Sequence, residues 1–297
     1  METIAAANAD SSISILDITS GYVIDTLHGH DSIVSSVSFS PCGSFLVSGS
    51  GDNTIVVWDC SSWTPLMTFR GHTDHVQTVS FSHASDRVVS TSFDNSVRVW
   101  SLTTQTEVLQ FQSPYNNFAA FNFSGDLILV LDDDMINLHD ASTGVLTRAL
   151  SGHHGTVLSV NVSRDGNLLV SGSCDVTVIL WDQLSGRILH VLEGHEDGVS
   201  GVCFNADASR IVSCSCDFTA IIWDVATGAC QLTIYFNREV SSCCFSESGS
   251  KVITVTEAGR LNVWDSNTGE EIRTIPTGEG KNVFSVSSRP NQTGSFI

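Results

Sequence analysis

Residues 152–182 read GHHGTVLSVNVSRDGNLLVSGSCDVTVILWD, and this stretch decides the fold. It begins with a glycine-histidine pair and ends with a tryptophan-aspartate pair. Between the pairs lie three short apolar runs rich in β-branched residues, at 157–162, 168–171 and 177–181. Runs of this length and composition predict β-strands, and the polar segment 164–167 predicts a turn. The stretch is therefore predicted to form antiparallel strands.

The same pattern recurs along the chain. Glycine-histidine pairs begin at Gly29, Gly71, Gly152 and Gly194, and each of these histidines stands 28 residues before a tryptophan. The tryptophan-aspartate pair, intact or with one residue replaced, occurs seven times, with first residues Leu16, Trp58, Trp100, His139, Trp181, Trp223 and Trp264. The successive gaps are 42, 42, 39, 42, 42 and 41 residues. A period of about 40 residues is typical of the four-stranded blades of a β-propeller.

These pairs and their spacing resemble the WD-repeat β-propeller family over almost the whole chain. In that family each blade is a small antiparallel sheet, and the sequence repeat straddles two blades. The resemblance implies an all-β fold, a seven-bladed β-propeller. Because such repeats bury their faces only against their neighbours, we expect a single domain over residues 1–297.

The two ends of the chain predict how the last blade is completed. Residues 10–17 match the segment that leads into a tryptophan-aspartate pair, so the N-terminus begins inside a blade. Residues 283–290 align with 34–41, which predicts an innermost strand. The last blade is thus expected to be shared between the N- and C-termini. Its second strand could come from residues 3–6 or from 295–297, and the spacing to Asp10 favours the N-terminal segment.

A turn follows each tryptophan strand. Glycine stands four residues after the aspartate in five units, where a positive φ is easily adopted: Gly21, Gly144, Gly186, Gly228 and Gly269. The same place holds Trp63 and Gln105 in the other two units. Two of the seven turns are therefore predicted to differ.

An aspartate, a histidine and a serine recur with the tryptophan in four units, as Asp175, His153 and Ser171 do with Trp181. These residue types could form a nucleophilic triad. A catalytic triad is needed only once, however, whereas this set recurs at equivalent positions. In the family that the chain resembles, such residues form a structural hydrogen-bonded network. We therefore expect no catalytic residues and predict that the chain is not an enzyme.

The composition excludes several kinds of ligand. The formal net charge is −19 with 32 acidic and 13 basic residues, and at least twelve acids occupy repeat positions. The other acids still outnumber the basic residues, which argues against nucleic acid and favours a protein partner with a basic surface. Histidines and cysteines show no metal-ligand spacing, and no phosphate-binding loop is present. We expect no metal and no cofactor.

The cellular compartment of the protein is predicted from its N-terminal residues, its hydropathy and its cysteines. Residues 1–10 do not resemble a signal peptide, and no apolar run is long enough to span a bilayer. The nine cysteines are predicted to be free thiols, as in a reducing compartment. We expect no membrane association and a cytoplasmic or nuclear protein.

The function is predicted to lie in residues that the repeat does not dictate. We expect a non-catalytic interaction scaffold or recognition module that binds a peptide or protein on the face formed by the histidine loops. The alternative is a propeller that binds a small ligand or a carbohydrate. Neighbouring units combine aromatic residues with an acid, as binding hot spots do. The predicted partner-binding residues are His75, Phe93, Tyr115, Asn117 and Asp132.

Overall fold

The computed structural model describes residues 2–113, 118–256, 259–276 and 283–290. These residues form 28 β-strands and no helix. The strands make seven four-stranded antiparallel sheets, which are the blades of a seven-bladed β-propeller. The predicted fold class is confirmed.

Sheets 1 to 4 contain the following strands. Sheet 1 has the order β28-β1-β2-β3, and sheets 2, 3 and 4 contain β4–β7, β8–β11 and β12–β15 in sequence order. Their bounds are β1 Thr3–Asn8, β2 Ser12–Asp17, β3 Val23–His28, β4 Val34–Phe39, β5 Phe45–Ser50, β6 Thr54–Asp59, β7 Pro65–Arg70, β8 Val76–Phe81, β9 Arg87–Ser92, β10 Ser96–Ser101, β11 Thr106–Gln112, β12 Ala119–Phe121, β13 Leu127–Asp132, β14 Met135–Asp140 and β15 Leu146–Ser151.

Sheets 5, 6 and 7 contain β16–β19, β20–β23 and β24–β27. Their strands, with the strand that completes sheet 1, are β16 Val157–Val162, β17 Leu168–Ser173, β18 Val178–Asp182, β19 Ile188–Leu192, β20 Val199–Phe204, β21 Arg210–Ser215, β22 Thr219–Asp224, β23 Cys230–Tyr235, β24 Val240–Phe245, β25 Lys251–Thr256, β26 Arg260–Asp265, β27 Glu271–Pro276 and β28 Val283–Ser288.

The chain divides into two compact units. Unit 1 comprises Met1–Val130, His139–Thr147 and Phe284–Ile297, and unit 2 comprises Leu131–Leu138 and Arg148–Val283. The expectation of a single domain over 1–297 stays a prediction.

Burial differs between the strands of a sheet. In sheet 2, β5 and β6 are almost wholly buried. The fourth strand, β7, is mostly exposed. In unit 1, side chains of β5 and β6 pack with those of β8 and β9, among them Val47, Val57, Val76 and Val88. Sheet 2 therefore buries its inner strands against sheet 3.

Sheet 1 joins strands from both ends of the chain, as predicted. β28 lies at its inner edge and β1 is its second strand. β1 pairs with β2 from Thr3 opposite Asp17 to Ala7 opposite Ile13. The N-terminal candidate for the second strand is thus confirmed, while residues 295–297 lie outside the described residues. The N–H of Arg289 also donates to the carbonyl of Thr3 at 2.8 Å.

The turns after the tryptophan strands correct one expectation. The five glycines adopt φ between 70° and 78°, as predicted. Trp63 and Gln105, however, adopt φ of 57° and 58°, so their turns have the same left-handed residue and do not differ in this respect. The N–H of Trp63 donates to the carbonyl of Asp59, just as that of Gly21 donates to Asp17. We infer that pairing of the two flanking strands requires this turn, so Trp63 and Gln105 adopt a left-handed conformation that is unfavourable for a residue with a side chain.

Replacing Gln105 with glycine is expected to raise the free energy of unfolding by up to about 1 kcal/mol. Gln105 is exposed, and its left-handed conformation costs about 1–2 kcal/mol, part of which the greater freedom of unfolded glycine cancels. Urea denaturation measures the change. Thr103→Gly is the control, because Thr103 is also exposed but is not left-handed. A loss of stability in Gln105→Gly equal to that in Thr103→Gly would contradict the strain.

Candidate functional site

The recurring polar residues form one network four times over. In sheet 5, His153 Nδ1 lies 2.9 Å from Asp175 Oδ2, and His153 Nε2 lies 2.7 Å from Ser171 Oγ. Trp181 Nε1–H donates to the same Ser171 Oγ at 2.8 Å. The other three networks repeat this geometry within about 0.1 Å: His30-Asp52-Ser48-Trp58, His72-Asp94-Ser90-Trp100 and His195-Asp217-Ser213-Trp223.

The donors and acceptors determine the histidine tautomer. A carboxylate only accepts, so His153 Nδ1–H donates to Asp175. His153 Nε2 then accepts from the Ser171 hydroxyl, while the oxygen of that hydroxyl accepts from Trp181. Asp175 also accepts from the backbone N–H of His154 at 2.8 Å. The network thus joins the loop before the first strand to the turn after the second.

The pKa of each network aspartate lies below its ordinary value. Burial raises the pKa of Asp175, but hydrogen bonds from Thr177, His154 and His153 lower it to about 2. The same balance between burial and donated hydrogen bonds lowers the pKa of Asp52, Asp94 and Asp217. For the histidines, burial outweighs the attraction of the carboxylate and lowers the pKa of His72, His153 and His195. An ionised aspartate next to a neutral histidine is the favoured state.

The burial of the serine hydroxyls distinguishes this arrangement from a hydrolytic triad. Ser48, Ser90, Ser171 and Ser213 are all 0% exposed, and a tryptophan N–H donates to each hydroxyl oxygen. A nucleophile needs an open face and a nearby oxyanion site. A substrate cannot reach these oxygens without unfolding of the sheet. The predicted structural role of the network therefore agrees with its geometry.

Acid is expected to destabilise the protein before its carboxylates titrate. The three network histidines with lowered pKa bind protons more weakly in the folded than in the unfolded state. Stability therefore falls as the pH drops below about 6.5. Each such histidine contributes up to about 1.4 kcal/mol per pH unit. Urea denaturation at about pH 7 and about pH 5.5 measures the effect. A constant or rising free energy of unfolding over that interval would contradict these pKa directions.

Sheets 4 and 7 retain only parts of the network. In sheet 7, Trp264 Nε1 donates to Thr254 Oγ1 at 3.0 Å, so threonine takes the role of the serine. In sheet 4, His139 replaces the tryptophan and stacks on Phe111 at 4.6 Å between ring centroids. His139 Nδ1–H donates to the carbonyl of Gly144, and its buried Nε2 has no hydrogen-bond partner within the described ranges. Leu129, which stands in the place of the serine, supplies no donor.

Two of the five predicted partner-binding residues lie together. The rings of His75 and Phe93 meet edge to face, with centroids 5.3 Å apart, and the Phe93 N–H donates to the carbonyl of His75 at 3.0 Å. Phe93 is 57% exposed. Burial lowers the pKa of His75, which the neighbouring Asp74 raises to a smaller extent. The pair therefore presents the exposed ring of Phe93, supported by the half-buried ring of His75.

The other three predicted residues are Asp132, Tyr115 and Asn117. Asp132 ends β13 in unit 2 and accepts a hydrogen bond from Asn137 Nδ2 at 2.9 Å. Tyr115 and Asn117 lie outside the described residues. The grouping of all five into one partner-binding site stays a prediction.

Two residues on the turns of unit 2 were not predicted from the sequence. Val176 and Phe218 adopt φ of 67° and 69°, which is unusual for bulky side chains, and Phe218 is 46% exposed. Their counterparts in sheets 2 and 3 are Asn53 and Asn95, which tolerate this conformation. A comparison of the repeats at this one position would have revealed them.

Among the described residues, no group of three or more histidine, cysteine, aspartate and glutamate side chains could hold a metal ion. In the same part of the chain, no helix is long and apolar enough to cross a membrane.

The seven repeated sheets and their fourfold buried network define a repeat β-propeller. A family model described as "IFT122 first beta-propeller" matches residues 116–297, and one described as "WD domain, G-beta repeat" matches 21–59 and 63–101. The chain therefore belongs to the WD-repeat β-propeller family, within the group described by the first of these models.

Several curated proteins are similar to parts of the chain. Eukaryotic translation initiation factor 3 subunit I of Mycosarcoma maydis is 36% identical over 140 residues, 47% of this chain and 28% of that protein. The human Intraflagellar transport protein 122 homolog is 35% identical over 22% of the chain and 5% of its own length. Human WD repeat-containing protein 36 is 39% identical over 20% of the chain and 7% of its own length. The chain thus spans well under half the length of these relatives.

Proposed function

We propose that this chain is a non-catalytic interaction module that binds a protein or peptide through the loops that carry the histidine networks. The observation that carries the proposal is the exposed ring of Phe93 in contact with the half-buried ring of His75. It combines a large aromatic surface with a position fixed by backbone hydrogen bonds, and both properties are typical of binding hot spots.

The hydrogen-bonded network next to this pair supports its role. Phe93 directly precedes Asp94, whose carboxylate accepts hydrogen bonds from His72 and from the N–H of Thr73 at 2.9 and 3.0 Å. The loop of His75 and the turn of Phe93 are therefore held together before any partner arrives. A preorganised surface loses less conformational entropy on binding than a flexible one.

The relatives are compatible with this proposal. One is named as a subunit of a translation initiation factor and another as an intraflagellar transport protein. We propose a protein partner for this chain, in the cytoplasm or nucleus, and no nucleic acid. The excess of acidic residues supports the last point, because a phosphate backbone would be repelled.

Affinity capture with the immobilised chain tests the proposal. Proteins from the native source are captured by the wild type and by the variants Phe93→Ala and His75→Ala, and are quantified by mass spectrometry. We expect Phe93→Ala to reduce specific capture by about tenfold or more. Tyr22→Ala is the matched control, because Tyr22 is an aromatic residue of unit 1 that is 76% exposed on the turn between β2 and β3. Equal capture by wild type and Phe93→Ala would refute the assignment.

A further inference from the structure

The turn between the second and third strands of every sheet contains one residue with positive φ. These residues are Ser11, Asn53, Asn95, Asp133, Val176, Phe218 and Gly259. Five of them are glycine or small polar residues, which adopt this conformation at low cost. Val176 and Phe218 are bulky, and valine is also β-branched. Two sheets that are consecutive in sequence thus keep residues that are unfavourable for the backbone.

The two turns belong to one hydrogen-bonded surface of unit 2. The N–H of Cys216 donates to the carbonyl of Gly198 at 3.0 Å, and the N–H of Phe236 donates to the carbonyl of Phe218 at 2.8 Å. On the other side, a methyl group placed on Gly198 would lie 3.6 Å from Cys174 Cα, so Gly198 lies close to the turn that contains Val176. The loop of Gly198 therefore connects the two strained turns.

Acidic side chains lie near Cys216, on the turn that contains Phe218. Glu196 and Asp197 are exposed on the loop that contacts the Cys216 turn, and Glu239 lies half-buried on the loop that follows Phe236. Burial raises the pKa of the Cys216 thiol, and the carboxylates of Glu239 and Asp197 raise it further, as nearby negative charges do. Arg238 is exposed on the same loop as Glu239, and its positive charge partly offsets these carboxylates. The Asp217 carboxylate is already engaged by His195.

We propose that the turns of Val176 and Phe218 form a docking surface for a cationic peptide segment in which lysine or arginine alternates with apolar residues. An exposed phenylalanine contacts either an apolar side chain or the flat face of a guanidinium group, and the carboxylates near its turn attract the positive charge. This inference rests on the proposed interaction function and names the chemistry of its partner. It accounts for the strain, because a bulky residue at these positions contributes to binding rather than to folding.

The test uses Phe218→Asn, which installs the residue found at the same position in sheets 2 and 3. Because asparagine tolerates positive φ, this variant is expected to fold and to have a higher midpoint of thermal unfolding than the wild type. Its binding to a short fluorescein-labelled peptide of alternating arginine and leucine, in about 0.15 M salt, is expected to weaken about tenfold. Fluorescence anisotropy measures the affinity. Val176→Asn is a second variant with the same expected directions.

Two controls separate this surface from general attraction to an acidic protein. A peptide of alternating glutamate and leucine should bind neither protein. Leu184→Asn removes an 89% exposed apolar side chain from the turn between β18 and β19, and it should leave arginine-peptide binding unchanged. Sedimentation of the wild type and Phe218→Asn without peptide shows whether a second copy of the chain occupies the surface instead.

Each result decides the inference. Higher stability with weaker binding in Phe218→Asn supports it, whereas unchanged binding, lower stability or no binding of the arginine peptide by the wild type overturns it. A mass that falls from dimer to monomer in the variant overturns it in favour of self-association. If the peptide does not bind but capture still depends on Phe93, only the cationic docking surface is refuted and the interaction function stands.

Discussion

Replacing Trp181 with alanine is expected to lower the free energy of unfolding by about 3–5 kcal/mol. The side chain is 1% exposed, and its ring lies so close to Gly152 that a methyl group there would be 2.8 Å from Trp181 Cη2. Alanine would leave a cavity in the core of unit 2. It would also remove the N–H that donates to the Ser171 hydroxyl. Chemical denaturation followed by circular dichroism measures the loss.

Two further variants define the origin of that loss. Trp181→Phe keeps most of the apolar volume but removes the hydrogen bond, and it is expected to cost about 1–3 kcal/mol. Leu184→Ala, at a side chain that is 89% exposed, is expected to change stability by less than about 0.5 kcal/mol. A loss of less than about 1 kcal/mol for Trp181→Ala would mean that the repeated tryptophan does not hold the sheet together.

Replacing Asp175 with alanine is expected to cost about 3–5 kcal/mol as well, because several hydrogen-bond donors depend on its carboxylate and each donor left without an acceptor costs about 1–3 kcal/mol. Its carboxylate accepts hydrogen bonds from His153 Nδ1, the N–H of His154, and both the N–H and the hydroxyl of Thr177. Alanine leaves these donors without their acceptor, and the buried His153 then loses the group that fixes its tautomer. The cost of such orphaned groups exceeds the net strength of the bonds themselves.

The pH dependence of this variant provides an independent check. The pKa of Asp175 is lowered to about 2, so the carboxylate contributes stability that is complete above its ordinary pKa and is lost as the pH falls through about 2. The difference in stability between wild type and Asp175→Ala is thus expected to be constant near neutral pH and to shrink in strong acid. The control is Asp134→Ala at an exposed aspartate, expected to change stability by less than about 0.5 kcal/mol. A difference that persists undiminished below about pH 2 would contradict the assignment.

Much of the architecture could be predicted because the same residue types recur at regular spacing along the sequence. His153 and Trp181 are separated by the same number of residues as the histidine and tryptophan of three other units. This constant separation reflects a four-stranded sheet whose buried polar groups must hydrogen-bond to one another. β28 could be placed in sheet 1 because residues 283–290 align with 34–41, and the spacing to Asp10 favoured the segment that forms β1 as the second strand. The structural role of the network also followed from its repetition, before any distance was known.

Conformation at single positions could not be predicted in the same way. Trp63 and Gln105 lack the glycine of their turns, yet they adopt the left-handed conformation because the strands on either side leave the backbone no other path. Phe218 likewise looks unremarkable as a residue type, and only its φ and its exposure distinguish it. Of the predicted partner-binding residues, His75 and Phe93 are in contact, which their separation in sequence did not establish.

The sequence by itself determined the number of sheets, the strand order and the identity of the buried network, because spacing and residue type are local properties repeated along the chain. The tertiary structure alone decided which turns carry strain and which side chains stay exposed. Both depend on the packing of loops that are distant in sequence, as where the N–H of Cys216 meets the carbonyl of Gly198. The repeat builds the scaffold, and the proposed partner-binding residues lie where the loops deviate from it.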